Sequence, residues 1–144
     1  MPILTTVSFR FVTAADVAAV WSRLTDEPRH FAGLALQSDW EPGSVVRLTS
    51  GLATVEGEVL HRCEGARLSY TLGDHPSRPE VYVTWTLTPD DAGGTGATIV
   101  DLCVDEVSSG RYGIDGRPEE VAEIEQAWQP VVDALRAEIE LSIR

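Results

Sequence analysis

His61 and Cys63 stand two residues apart in a stretch of alternating character, so both could share one face of a strand and begin a metal site. A zinc site takes three or four ligands. The other histidines, His30 and His75, fall in helix-turn and loop contexts far along the chain. The reading is therefore of ordinary strand residues, with no metal. Glu56 and Glu58 repeat the same spacing, and Asp101 and Asp105 also share a parity. Paired carboxylates can divide acid and base roles when burial separates their pKa values. The alternation of these strands sends both pairs to the face turned toward water. Asp39, beside Trp40, reads as a strand-end or turn residue near a pocket entrance. No GxSxG elbow is present, so no Ser-His-Asp arrangement can be argued. Gly93-Gly94-Thr95-Gly96 has the look of a phosphate loop, but a strand follows where a dinucleotide fingerprint needs a helix. It reads as a hairpin turn.

The aromatic residues Trp40, Tyr70, Trp85 and Trp128 offer more. They can be core, or they can line a pocket with flat apolar surfaces that carry an N–H or O–H handle. Arg47 and His61 belong to neighbouring strands and could point the same way; a buried arginine would then need an acid or a ligand carboxylate. Surface placement is the favoured reading for an arginine near a strand end. These six residues are the candidate ligand-binding set, and no catalytic residue can be assigned.

Composition narrows the field. The formal charge is −12, spread along the chain, which argues against nucleic acid as a partner and disfavours anionic membranes. All eleven basic residues are arginine. The lack of lysine excludes a P-loop lysine and a Schiff-base lysine, hence ordinary pyridoxal-phosphate chemistry, and no cofactor is implied. The lack of both lysine and asparagine points to a GC-rich, bacterial coding bias. No apolar run approaches the roughly 20 residues of a membrane span, and the N-terminus lacks signal-peptide character. Cys63 and Cys103 have no framework spacing and are expected as free thiols in a cytoplasmic protein. A chain of 144 residues is expected to form one domain over residues 1–144.

The elements that must position these residues are read from periodicity. Ile3 to Val12 is a strand, with Val7, Phe9 and Phe11 on one face. Thr13 looks like an N-cap with Asp16 in a short capping box, and Val17, Val20, Trp21 and Leu24 follow at helical spacing. Pro28 to Ala32 is expected to form a second short helix. From Leu36 the period becomes two. Strands are expected over Leu36–Trp40, Ser44–Thr49, Thr54–Arg62, Arg67–Leu72, Glu80–Thr88 and Ala97–Val107, joined by hairpin-length turns that imply an antiparallel sheet. Ser108 to Gly116 reads as a loop. Pro118 to Ile143 then forms one long amphipathic helix, with Pro118 at its first position and Glu119, Glu120 and Glu123 at the positive end of its dipole. Val121, Ile124, Trp128, Val131, Leu135 and Ile139 make its apolar stripe. Pro130 should kink it, as a fixed bend or as a hinge. The fold class is α+β: a curved antiparallel sheet of about seven strands wrapped on a long C-terminal helix, with two short helices after the first strand.

This layout resembles the helix-grip fold of the START-related (SRPBCC) superfamily, and more closely the branch named after the activator of heat-shock-protein ATPase homologue. The matching stretches are Phe11–Asp26, Gly33–Ser44, Gly57–Leu72, Val83–Thr98 and the Trp128 helix. The resemblance implies a cavity between sheet and helix, and because Trp128 shares a stripe with Ile124 and Leu135 while Trp85 shares a strand face with Val83 and Leu87, Trp128 is expected to face inward toward Trp85 and Tyr70. It also implies a small apolar or amphipathic ligand. A polyketide cyclase or dehydratase using the same cavity is an alternative, and so is a chaperone-related module with a protein partner. No catalytic motif is shared across the branch.

Overall fold

Sequence neighbours become spatial neighbours in this chain because its turns are short. The computed structural model describes residues 3–25, 29–31, 34–50, 53–73, 80–90, 96–108, 116 and 119–142. The elements are β1 (Ile3–Thr13), α1 (Val17–Thr25), β2 (Arg29–Phe31), β3 (Leu34–Ser38), β4 (Val45–Ser50), β5 (Ala53–Cys63), β6 (Arg67–Leu72), β7 (Val81–Asp90), β8 (Ala97–Ser108) and α2 (Glu119–Ser142). One eight-stranded sheet runs β1-β8-β7-β6-β5-β4-β3-β2. Every adjacent pair is antiparallel. Among the described residues only the β1–β8 pairing joins strands far apart in sequence. The fold is the helix-grip arrangement of class α+β.

The sheet has one dry face. Leu68, Tyr70 and Leu72, then Val83, Trp85 and Leu87, then Val100, Leu102 and Val104 are all buried at every second position. The helix α2 grips that face mainly along β1, and also touches β8, β2 and α1. Its stripe buries Ile124, Val131, Val132, Leu135 and Ile139. Full burial of each such side chain stabilises by about 1.5–3 kcal/mol relative to exposure. The wet face carries the carboxylates in cross-strand pairs. Arg10 donates to Asp101 at 2.6 Å and Arg47 to Glu56 at 2.9 Å, each pair directly opposite in register. The Thr6 hydroxyl donates to Asp105 in the same way.

Three local expectations need correction. Arg29–Phe31 is the short strand β2, paired with β3 through His30 opposite Ala35, and not part of a second helix. Three residues hold too little periodicity to reveal a strand, and pairing with a sheet edge overrides local preference. The N-cap of α1 is Asp16, not Thr13: the Asp16 carboxylate accepts the Ala19 N–H at 2.8 Å. Thr13 ends β1 instead, and its hydroxyl accepts the Ala15 N–H at 3.3 Å. The buried Thr98 hydroxyl, opposite Thr13, donates to the Ala15 carbonyl at 2.8 Å and ties the entry of α1 to β8. Finally, β3 stops at Ser38, because Trp40 lies in the left-handed region at φ 58° and cannot continue a strand. The α2 helix runs through Pro130, which is exposed, so the Gln126 carbonyl it frees faces water. The expectations for 74–79, 93–95, 109–115 and Pro118 lie outside the described residues.

Both cysteines are free, Cys63 exposed and Cys103 half-buried. Burial pushes the Cys103 thiol pKa up, and the negative charge of Asp105 adds to the effect. Thiolate is the reactive form. In the native protein a disulfide reagent should therefore modify Cys63 quickly and Cys103 slowly, and denaturant should bring both to the same rate. Equal native rates would refute this protection of Cys103. Among the described residues no helix is long and apolar enough to cross a membrane.

Candidate functional site

Between the sheet and the N-terminal half of α2 the side chains do not meet, and a cavity of about 300 Å³ remains. Its walls follow from the alternation. Leu36 comes from β3, Leu48 from β4, Val55 from β5, Tyr70 and Leu72 from β6, and Val81 and Trp85 from β7. Ala127, Trp128 and Val131 close it from α2, and Gly73 and Glu80 complete the lining. The lining residues are aliphatic and aromatic apart from Gly73 and Glu80. Dry walls with few polar groups suit an apolar occupant and leave little to drive acid–base chemistry.

The aromatic residues form a connected wall. The Trp85 Nε1–H donates to the Tyr70 hydroxyl at 3.2 Å, which fixes both rings. Behind them, Trp40 packs on Tyr70 with ring centroids 5.4 Å apart and planes tilted by 58°. Trp40 is buried but does not line the cavity. A bulky residue in the left-handed region costs about 1–3 kcal/mol, so the surroundings must hold it there. The Ser38 hydroxyl accepts the Trp40 N–H at 3.0 Å, and Arg62 donates to the Trp40 carbonyl at 3.2 Å. Asp39, next to it, is exposed and lies with Arg47 in a separate shallow depression.

Of the six candidate residues, Tyr70, Trp85 and Trp128 come together on the cavity wall, and Trp40 supports it from behind. Arg47 and His61 do not point into it. Arg47 is exposed, because its neighbours Val46 and Leu48 take the inner face of β4, and its guanidinium is held by Glu56. His61 is displaced by a β-bulge. Val59 pairs with Tyr70, yet His61 pairs with Ser69, so Leu60 is the extra residue. The bulge reverses parity: His61 turns outward to solvent and Arg62 turns inward. The Arg62 guanidinium sits 5.7 Å from the Trp21 ring centroid and reaches Glu64 at 2.8 Å. Sequence reasoning missed Arg62 because strict alternation puts it on the wet face. It also missed Leu36, Leu48, Val55 and Val81, although their alternation with polar neighbours was a sufficient signal. Among the described residues no group of three His, Cys, Asp or Glu side chains could hold a metal ion.

Residues 9–140 match the family model of the Activator of Hsp90 ATPase homolog 1-like protein. Among solved structures, DynU16 of the dynemicin biosynthetic locus superposes with a TM-score of 0.72 at 28% identity, over 94% of this chain but 47% of that one. The Aha1 dimer from Colwellia psychrerythraea gives 0.71 at 12% identity, over 94% of this chain and 96% of that one. SA2116 from Staphylococcus aureus, a protein of unknown function, gives 0.75 at 13% identity, over 99% and 97%. The last two likenesses establish the fold alone. No curated protein matches the chain at a significant level.

Proposed function

The chain belongs to the Activator of Hsp90 ATPase homolog 1-like family, and on that premise we propose that it binds a small apolar or amphipathic molecule in the cavity under α2. The observation that carries this reading is the cavity itself, about 300 Å³ of unfilled space with an almost wholly apolar lining. The volume is at the lower end of the range of small-molecule sites. At about 30 Å³ per water it would hold about ten waters, so a compact ring system fits and a two-chain lipid does not. In this reading Tyr70, Trp85 and Trp128 supply the ligand's contacts, and Trp40 stiffens the wall behind Tyr70.

Native mass spectrometry of the purified protein should find a small molecule retained at one per chain, released on unfolding. Titration with an apolar aromatic probe should change tryptophan fluorescence in a saturable way, since two of the four tryptophans face the cavity. Trp128→Ala should weaken that binding at least about fivefold by removing one wall of a small site. Absence of both a retained molecule and saturable binding would sink the reading.

A second reading is an enzyme of small-molecule biosynthesis working in the same cavity. The 28% identity with DynU16 supports it. Its proton-transfer groups would have to come from Tyr70 or Glu80, the two titratable residues among the described lining. A protein-interaction module has less support, since an unfilled core is the feature such a module does not need.

A further inference from the structure

One arginine ties down a wall of the cavity from outside it. The β-bulge at Leu60 turns the Arg62 side chain inward, away from the wet face that strict alternation would give it. Its guanidinium then holds two groups at once. Nε and Nη2 donate to the Glu64 carboxylate at 3.1 Å and 2.8 Å, and Nη1 donates to the Trp40 carbonyl at 3.2 Å. The same guanidinium lies 5.7 Å from the Trp21 ring centroid. Trp21 and Trp40 share a second property. Both indoles are buried, and among the described residues neither Nε1–H has an acceptor. Trp85, by contrast, is anchored through its own N–H on the Tyr70 hydroxyl. The Trp40 ring is therefore placed by its packing and its main chain. That main chain stands at φ 58°, a conformation that a bulky residue keeps only while its surroundings impose it. The Ser38 hydroxyl secures its N–H and Arg62 its carbonyl. The ring so held packs against Tyr70, and Tyr70 lines the cavity.

We infer that Arg62 and Trp40 set the size limit of the cavity's occupant although neither lines the cavity: Arg62 is a positioning residue that pins Trp40 behind Tyr70, and Trp40 keeps the Tyr70 wall from receding. This rests on the ligand-binding reading above and deepens it by naming what decides which ring compounds fit. The lining residues supply affinity, and the layer behind them sets the largest ring system admitted. A supported wall resists an oversized group, because overpacking forces side chains off their rotamers. Without support behind it, the Tyr70 ring can move back and admit a larger group.

Titration of the intact protein with naphthylmethanol and pyrenylmethanol, followed by probe emission, tests it, because both are neutral alcohols and differ in ring size. In the wild type the naphthyl compound should bind at least about tenfold tighter, since the pyrenyl ring overfills the site. Trp40→Gly removes the ring and puts at that position a residue that accepts positive φ. It should raise pyrenyl affinity relative to naphthyl at least about tenfold, because the wall can then recede. Arg62→Met keeps an unbranched stem without the donors, and it should move the ratio the same way by at least about threefold. Arg62→Lys keeps a donor and should stay nearer to wild type. Arg47→Met is the control: it breaks an ion pair with Glu56 on the wet face and should leave the ratio unchanged. A merely structural role for Arg62 would lower both affinities together and leave their ratio alone. If Trp40→Gly does not fold, as judged by circular dichroism, the Arg62 variants decide. If the wild type binds both probes equally, or Arg62→Met leaves the ratio unchanged, or Arg62→Lys shifts it as far as Arg62→Met, this inference fails while ligand binding stands. A folded Trp40→Gly protein with the wild-type ratio overturns it in the same way. If neither probe binds, the cavity is no site for ring compounds and both readings fall together.

Discussion

Gly57→Ala should destabilise the protein by more than about 3 kcal/mol, the upper end of what overpacking usually costs. Gly57 is buried in the middle of β5, where the strand passes from pairing with β4 to pairing with β6. A Cβ placed there would stand 1.6 Å from the Thr71 carbonyl oxygen and 2.3 Å from its carbon. Those are main-chain atoms of β6, so no flexible side chain can swing away. The crossing is fixed on both sides. Glu56 and Gly73 exchange two main-chain bonds of 2.9 Å, and the Glu58 N–H donates to the Thr71 hydroxyl at 3.1 Å. Relief would require separating β5 from β6, and with them two of the cavity walls, Val55 and Leu72. Urea unfolding should show the midpoint falling by about 1–2 M for a chain of this size. The neighbouring substitution Glu58→Ala, at an exposed side chain, should move stability by less than about 0.5 kcal/mol. A Gly57→Ala protein within about 1 kcal/mol of wild type would show that the strands do not approach so closely.

Gly57 also marks the boundary between what could be read from the residues and what could not. A glycine inside a strand pattern signals a bulge or a close backbone approach, but not which partner approaches. The strand pattern itself was legible, since alternation survives wherever one face is dry. The bounds of β6 coincide with the expected Arg67–Leu72, and all the described residues of α2 fall within the expected Pro118–Ile143. Three kinds of feature escaped. The bulge at Leu60 leaves no mark in composition, yet it exchanges the faces of His61 and Arg62. The strand β2 owes its state to a neighbour and not to its own three residues. The left-handed turn at Trp40 is held by Ser38, Arg62 and the Tyr70 ring, which are up to 30 positions away. Half of the candidate site was therefore readable. The aromatic residues sit on faces set by regular periodicity. Arg47 is turned to solvent by plain strand parity, as an arginine near a strand end favours, whereas His61 is turned there by the bulge before it.

Trp85→Ala should cost about 3–5 kcal/mol, whereas Trp128→Ala should cost well under about 3 kcal/mol, although both rings line the same cavity. The difference lies in what stands on the other side of each ring. Trp85 is 2% exposed and occupies the middle of the sheet, with Leu68 and Leu102 opposite it on the two flanking strands. Its N–H also satisfies the Tyr70 hydroxyl, so truncation removes packing and a buried hydrogen bond together. Trp128 is only half-buried, on a part of α2 whose neighbours Gln129 and Pro130 are exposed. Where a ring already borders empty space, its loss forfeits few contacts, because the missing atoms on that side contributed no attraction. Thermal or urea unfolding of the two variants measures the contrast directly, and Trp85→Phe should recover most of the loss by restoring ring volume without the N–H. Equal costs for the two alanine variants would mean that Trp128 is packed as tightly as Trp85. The space between helix and sheet would then be filled core, and the ligand-binding reading would lose the observation on which it stands.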